Sequence, residues 1–153
     1  MKFKFLGILI LPMLLSSCTL TESAKVKKHL VDTEWKGSTF YTPIETYTLS
    51  FKDATYSLAY HKDAIHTTDV DEDAVDLTAD GKWTYDGSET VKWTGDWNIP
   101  QKMTYYVVKL DTHPLWEEAY LQMELNSNVI YLTNERQTGK NLMVGIKLVR
   151  QGE

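Results

Sequence analysis

From Thr46 onward the chain alternates apolar and polar residues with a period of two, the pattern of strands with one buried face. Thr46 to Phe51 sets Tyr47, Leu49 and Phe51 on one side, and Thr55 to Tyr60 repeats this with Tyr56, Leu58 and Tyr60. Lys52-Asp53-Ala54 joins the two runs as a hairpin connection. Asp86-Gly87-Ser88-Glu89, between Gly81–Tyr85 and Thr90–Trp93, predicts a second hairpin, because Asp-Gly supplies the positive φ of a tight turn. That hairpin sets Trp93 across from Trp83 and Tyr85 as a cross-strand pair. Met103 to Leu110 is apolar on both faces, which suits a central strand.

Ala119, Leu121, Met123 and Leu125 alternate with polar partners, and Asn126-Ser127-Asn128 turns the chain into Val129–Thr133. Gln137 to Lys140 predicts the last turn, before a strand with Leu142, Val144, Ile146 and Leu148 on one face. Two helical pieces interrupt the strands. Pro114 with Glu117 and Glu118 predicts a helical turn over 114–118. Ala24 to Val31 predicts a brief helix without a strong cap. Short strands joined mainly by tight turns define an all-β chain. A single antiparallel up-and-down barrel of about eight strands leaves such a sheet without edges.

The amino end has another pattern. Lys2 and Lys4 precede an apolar run from Phe5 to Leu15, which is too short to span a bilayer as a helix. Small residues follow, and then Cys18, the only cysteine of the chain. Leu15-Ser16-Ser17-Cys18 resembles the lipobox of bacterial lipoproteins. The resemblance implies a signal peptide over 1–17, acylation of Cys18 by fatty acids such as palmitate, a tether over 18–29 and a domain over 30–153. Removing 17 of the 153 residues leaves 136 and takes away two lysines, so the formal charge goes from -5 to -7, with 14 basic against 21 acidic residues. An acidic domain repels nucleic acid and anionic lipid headgroups, so the membrane connection is expected from the lipid alone. With Cys18 acylated no thiol remains for a disulfide.

Three further stretches carry a second resemblance: Leu30-Val31-Asp32-Thr33-Glu34-Trp35-Lys36-Gly37, Thr48 to Tyr56, and Gly81-Lys82-Trp83-Thr84-Tyr85-Asp86-Gly87. Together they resemble the lipocalin-like small lipoproteins of Bacteroidetes-type bacteria, a group mostly without an assigned activity. The resemblance implies a lipocalin-like barrel, held in the cell envelope and at the outer membrane. Thr33 stands where true lipocalins place a glycine. In lipocalins a late arginine packs over the first-strand tryptophan; Arg150 is the residue so placed here, with an exposed terminal arginine as the alternative.

Candidate chemistry is sparse. Asp69, Asp71, Asp73 and Asp80 match part of a calcium loop, but Ala74 replaces its glycine and Asp80 is too short for the bidentate glutamate, so a solvated acidic loop is expected. His29, His61, His66 and His113 lack metal-ligand spacing and are read as surface or turn residues. No nucleophile motif or phosphate-cradling loop is present, and no catalytic residue, metal or cofactor is expected. Aromatics cluster at Trp83, Tyr85, Trp93, Trp97, Tyr105 and Tyr106. Either they fill the barrel, or Trp83, Tyr85 and Trp93 line a pocket for a small apolar or amphipathic ligand. The expectation is therefore a non-enzymatic, lipid-anchored ligand-binding module. Its alternative is a filled barrel that acts on an envelope protein as an inhibitor, immunity or structural factor.

Overall fold

The computed structural model describes residues 20–94, 100–139 and 144–152, without the side chains of Trp93 and Pro100. One helix, α1 (Glu22–Leu30), precedes ten strands: β1 (Glu34–Ser38), β2 (Glu45–Lys52), β3 (Thr55–Lys62), β4 (Ile65–His66), β5 (Asp71–Glu72), β6 (Val75–Thr94), β7 (Pro100–Leu110), β8 (Ala119–Met123), β9 (Val129–Thr133) and β10 (Ile146–Arg150). Eight strands close into an antiparallel barrel in the order β1-β10-β9-β8-β7-β6-β3-β2, while β4 and β5 form a separate two-stranded ribbon. The all-β, single-barrel expectation holds.

Strand alternation explains the core. Tyr47, Leu49 and Phe51 of β2, with Tyr56, Leu58 and Tyr60 of β3, are all buried and face inward. They meet Trp35, Trp83, Val108, Leu110, Leu121, Met123, Ile130, Leu132 and Leu148 in one continuous cluster. The barrel closes where β1 pairs with β10, Trp35 opposite Arg150 and Lys36 opposite Val149. At that seam a Cβ on Gly37 would run into the Lys147 carbonyl oxygen and come within 2.8 Å of Leu148 Cδ2. Gly37→Ala is therefore expected to lower stability by about 1–3 kcal/mol, read from the urea midpoint. Gly152→Ala, where nothing lies within 4 Å, is the neutral control.

Four expectations need correction. Asp86-Gly87 is not a hairpin turn but a bulge inside β6: Tyr85 faces Val108 and Ser88 faces Tyr106, so Asp86 and Gly87 together oppose Val107. A two-residue hairpin of type I′ needs positive φ at both central residues, and of these two only Gly87 has it (+99°). Trp93 consequently lies further along the same strand as Trp83 and Tyr85, opposite Gln101, and pairs with neither. Beyond the bulge, Ser88–Thr94 and the facing part of β7 pair with each other in an arm past the barrel.

The second correction concerns 114–118, which are bends and not a helical turn. His113 Nδ1 accepts hydrogen bonds from the backbone N–H groups of Leu115 and Trp116, both at 3.2 Å, and this local bonding displaces the helix. Third, Val144, expected on the buried face of the last strand, lies ahead of β10 and is 59% exposed, while Lys140 of the predicted turn at 137–140 and Leu142 lie outside the described residues. Thr133 Oγ1 donates to the Glu135 carbonyl at 2.8 Å and Gln122 Nε2 to that of Gln137 at 3.5 Å, so the chain just after β9 lies against the outer face of β8 at Gln122. Val107 and Gln122, paired on the face away from the barrel interior, are both buried.

Fourth, much of the predicted tether belongs to the fold. Thr21 caps α1 by accepting from the Ala24 N–H at 3.2 Å, Glu22 occupies the first turn, and Lys27, Lys28 and His29 the last, as the helix dipole favours. Val26 and Leu30, four residues apart on one face, are fully buried in the core cluster. Glu22–Leu30 thus packs with the barrel, inside the stretch that the sequence assigned to a tether.

Candidate functional site

Each end of the barrel is closed by a different group of side chains. At the end capped by α1, the Arg150 guanidinium lies over Trp35, Cζ 4.8 Å from the ring centroid. Arg150 thus takes the closing position that the lipocalin resemblance gives it. Its Nη2 donates to the His29 carbonyl at 2.5 Å and to His29 Nδ1 at 3.3 Å, and the His29 ring centroid is 5.5 Å from that of Trp35. Burial, reinforced by the Arg150 charge, lowers the His29 pKa to about 4, so the imidazole is neutral at neutral pH. His29 is 8% exposed, which corrects the surface assignment.

Thr33 gives this end a bond that a glycine does not. Its hydroxyl donates to the Leu30 carbonyl and accepts the indole N–H of the buried Trp35 at 2.7 Å. Thr33→Val keeps the shape and strands that N–H, so a loss of about 1–3 kcal/mol is expected in urea unfolding.

Beside α1 an open cleft of about 420 Å³ is lined by Leu20, Lys25, Lys28, His29, Leu125, Asn126 and Arg150. Three of these are cations, and no carboxylate lines the cleft among the described residues. Glu22, one helical turn away, points elsewhere: it accepts from Tyr85 Oη at 2.5 Å and from Ser88 Oγ at 3.2 Å, which lowers its pKa.

The other end is plugged by the β7–β8 connection. His113 stacks on Trp116 with ring centroids 4.0 Å apart, and Trp116 lies 6.3 Å from Tyr47, itself 5.1 Å from Tyr60. Tyr56 anchors the connection, its hydroxyl donating to the Thr112 carbonyl and accepting the Thr112 N–H at 3.1 Å. Burial drives the His113 pKa down to about 4 and that of Tyr60 up to about 12, and raises that of Tyr47 further. Between β1 and β2, Phe40 and Tyr41 are 91% and 84% exposed, next to the cis Thr42–Pro43 bond and a half-exposed Ile44.

The sequence-predicted ligand residues separate. Trp83 is 9% exposed, edge-on to Phe51 with centroids 6.5 Å apart, and its buried Nε1 has no hydrogen-bond partner. Tyr85 shares that inward face and is tied to Glu22. The Trp93 side chain, Trp97, Cys18 and the 1–17 segment lie outside the described residues. Tyr106 packs against the core, and Tyr105 is buried on the opposite face.

The acidic stretch forms pairs: His61 with Asp76 at 2.7 Å and Asp63 at 3.1 Å, His66 with Asp71 at 2.6 Å, and Lys62 with Glu72 at 2.6 Å. Among the described residues no group of three or more His, Cys, Asp or Glu is placed to hold a metal ion. The His113–Trp116 plug was not visible in the sequence, where Pro114 and the two glutamates suggest a helix start. Phe40-Tyr41, two large aromatics beside Pro43 and outside any alternating run, gave a signal that strand patterning passes over.

The fold is a closed eight-stranded antiparallel barrel stoppered at both ends. No family model, curated protein or solved structure matches the chain.

Proposed function

We propose that the protein is a non-catalytic envelope lipoprotein, anchored through acylated Cys18, whose filled barrel acts by contact with another protein of the bacterial outer membrane or periplasm. One observation carries this reading. The interior is occupied by packed aromatic and aliphatic side chains and stoppered at both ends, while Phe40 and Tyr41 stand in solvent on one short connection. Apolar surface that is withheld from an available core marks an interaction site. Aromatic anchors of this kind dominate interface energetics. A second reading, a small ligand with an acceptor oxygen inside the barrel, is favoured by the unpaired buried Trp83 N–H.

Native mass spectrometry of the protein purified from its host's envelope separates the two. The expected result is a mass accounted for by polypeptide and acyl chains, together with a discrete protein adduct when a photoreactive residue replaces Tyr41 in living cells. A reproducible extra mass released as a small molecule on denaturation supports the second reading instead. The anchor has its own test. Cys18→Ala is expected to abolish incorporation of labelled fatty acid, and undiminished labelling removes the lipoprotein assignment.

A further inference from the structure

The chain is net acidic, at -5, yet its charge is divided between two ends. Asp69, Asp71, Glu72, Asp73 and Asp76 sit on or beside the β4–β5 ribbon, which follows the Lys62 end of β3. The opposite end of β3 turns at Asp53-Ala54, and Lys27 of α1 pairs with Asp53 there. Lys25, Lys28 and Arg150 therefore gather at the far end of the barrel from the acidic ribbon. They converge on the cleft of about 420 Å³ that Leu20 and Leu125 also line.

This cleft has the chemistry of an anion site with an apolar border. Lys25 and Lys28 are exposed, and neither they nor Arg150 form an ion pair among the described residues. Two N–H groups of its lining residues, buried behind the cleft wall, lack an acceptor. Arg150 Nε is buried and unpaired, as is Nε2 of His29, a residue more than nine-tenths buried. Because His29 Nδ1 accepts from Arg150, Nε2 carries the proton of the neutral ring and is a donor. Buried donors of this kind are ordinarily satisfied, so they mark this wall as short of acceptors, and the three cations that line the cleft select a negatively charged guest.

We propose that the cleft holds the phosphate of an anionic phospholipid headgroup, so that α1 lies against the leaflet that carries the Cys18 lipid. The choice of a lipid over a free anion rests on the anchor proposed above. Cys18 is two residues from Leu20, a span of at most roughly 7 Å, which keeps the cleft at headgroup level. Leu20, 52% exposed, and the half-buried Leu125 suit the glycerol and first methylenes of a lipid better than they suit inorganic phosphate. Net charge alone predicts repulsion from such a surface. Within a Debye length, however, the local cations decide, and the acidic ribbon is at the other end of the molecule.

The full-length chain reconstituted on vesicles tests this through the reaction rate of Lys25 and Lys28 with a water-soluble amine reagent. Lys62, beside the acidic ribbon at the other end of the barrel, serves as the internal control. Phosphatidylcholine vesicles containing phosphatidylglycerol are expected to slow both lysines several-fold relative to pure phosphatidylcholine, with Lys62 unchanged. Lys28→Gln should weaken the protection of Lys25 by roughly fivefold, the weight of one cation near an anionic surface. Equal rates in the two vesicle types overturn the proposal. Equal protection by inorganic phosphate on pure phosphatidylcholine overturns its assignment to a lipid. A Cys18→Ser chain retains residues 1–17 and so still reaches the vesicle. Its protection is expected to persist, so loss of fatty-acid labelling, which removes the anchor reading, does not remove protection of the cleft.

Discussion

Trp35→Ala is expected to destabilise the protein by about 3–5 kcal/mol, the range for removing a fully buried tryptophan. Trp35 is 0% exposed and forms the floor of the barrel beneath Arg150 and His29. Its loss opens a cavity and removes the ring that the guanidinium covers. It also frees the Thr33 hydroxyl from its indole partner. A domain of this size has about 5–15 kcal/mol in total, so the variant should unfold at a much lower urea concentration. Trp35→Phe restores most of the volume and an aromatic face, and the loss should shrink to the order of 1 kcal/mol. If alanine costs less than phenylalanine does, Trp35 is not what closes this end.

Which elements were legible in the sequence follows from how locally each is determined. β2 and β3 bury one face completely and expose the other, so period-two alternation of Tyr47, Leu49 and Phe51 with Thr46, Thr48 and Ser50 is the direct image of their environment. Asp86-Gly87 is different, because the same dipeptide serves a hairpin or a bulge. The choice is made by residues far away in the chain. Arg136, 50 positions later, donates from Nε to the Asp86 carboxylate at 2.8 Å and from Nη1 to Glu89 at 2.9 Å, which fixes the bulge within a continuous strand.

The cleft and the closing pair were hidden for a similar reason. His29 sits beside Lys27 and Lys28, as a solvated histidine would, and its burial depends on Arg150, 121 positions away. The lipocalin resemblance points to Arg150 and Trp35 but not to the histidine beside them. Trp83 faces the core, whereas a pairing of Trp93 with it depends on a hairpin that the continuous strand β6 replaces.

Stability should fall steeply as the pH drops from about 6.5 towards about 4, and two imidazoles account for the fall. His29 and His113 both have pKa values lowered to about 4 by burial, from 6.5. Above 6.5 the folded and unfolded chains both hold them neutral, so neither contributes a slope. Below it the unfolded chain takes up protons that the folded chain refuses, and the unfolded state gains until the folded pKa is reached, where the effect levels off. At about pH 5 the loss is at most roughly 2 kcal/mol for each residue, since local relaxation admits some water. His61 works in the other direction. Its pKa is raised by bonds to Asp76 and Asp63, so its contribution is present at low pH and is lost as the pH rises, but the group is exposed and its weight is small.

The two buried histidines lie at opposite ends of the barrel, so protonation attacks both stoppers. One charge arises beside Arg150 under α1, and the other beneath the Trp116 stack. His113→Asn keeps an acceptor for the Leu115 and Trp116 N–H groups, and His29→Gln keeps one for Arg150, without an imidazole to protonate. The double variant should therefore lose some stability at pH 7 and show a much flatter dependence below it, measured by urea unfolding across the range. Identical slopes for the variant and the natural chain would mean that both imidazoles are already solvated in the folded protein. The stoppered barrel would then be looser at both ends than its packing implies, and the case for a filled interior would weaken with it.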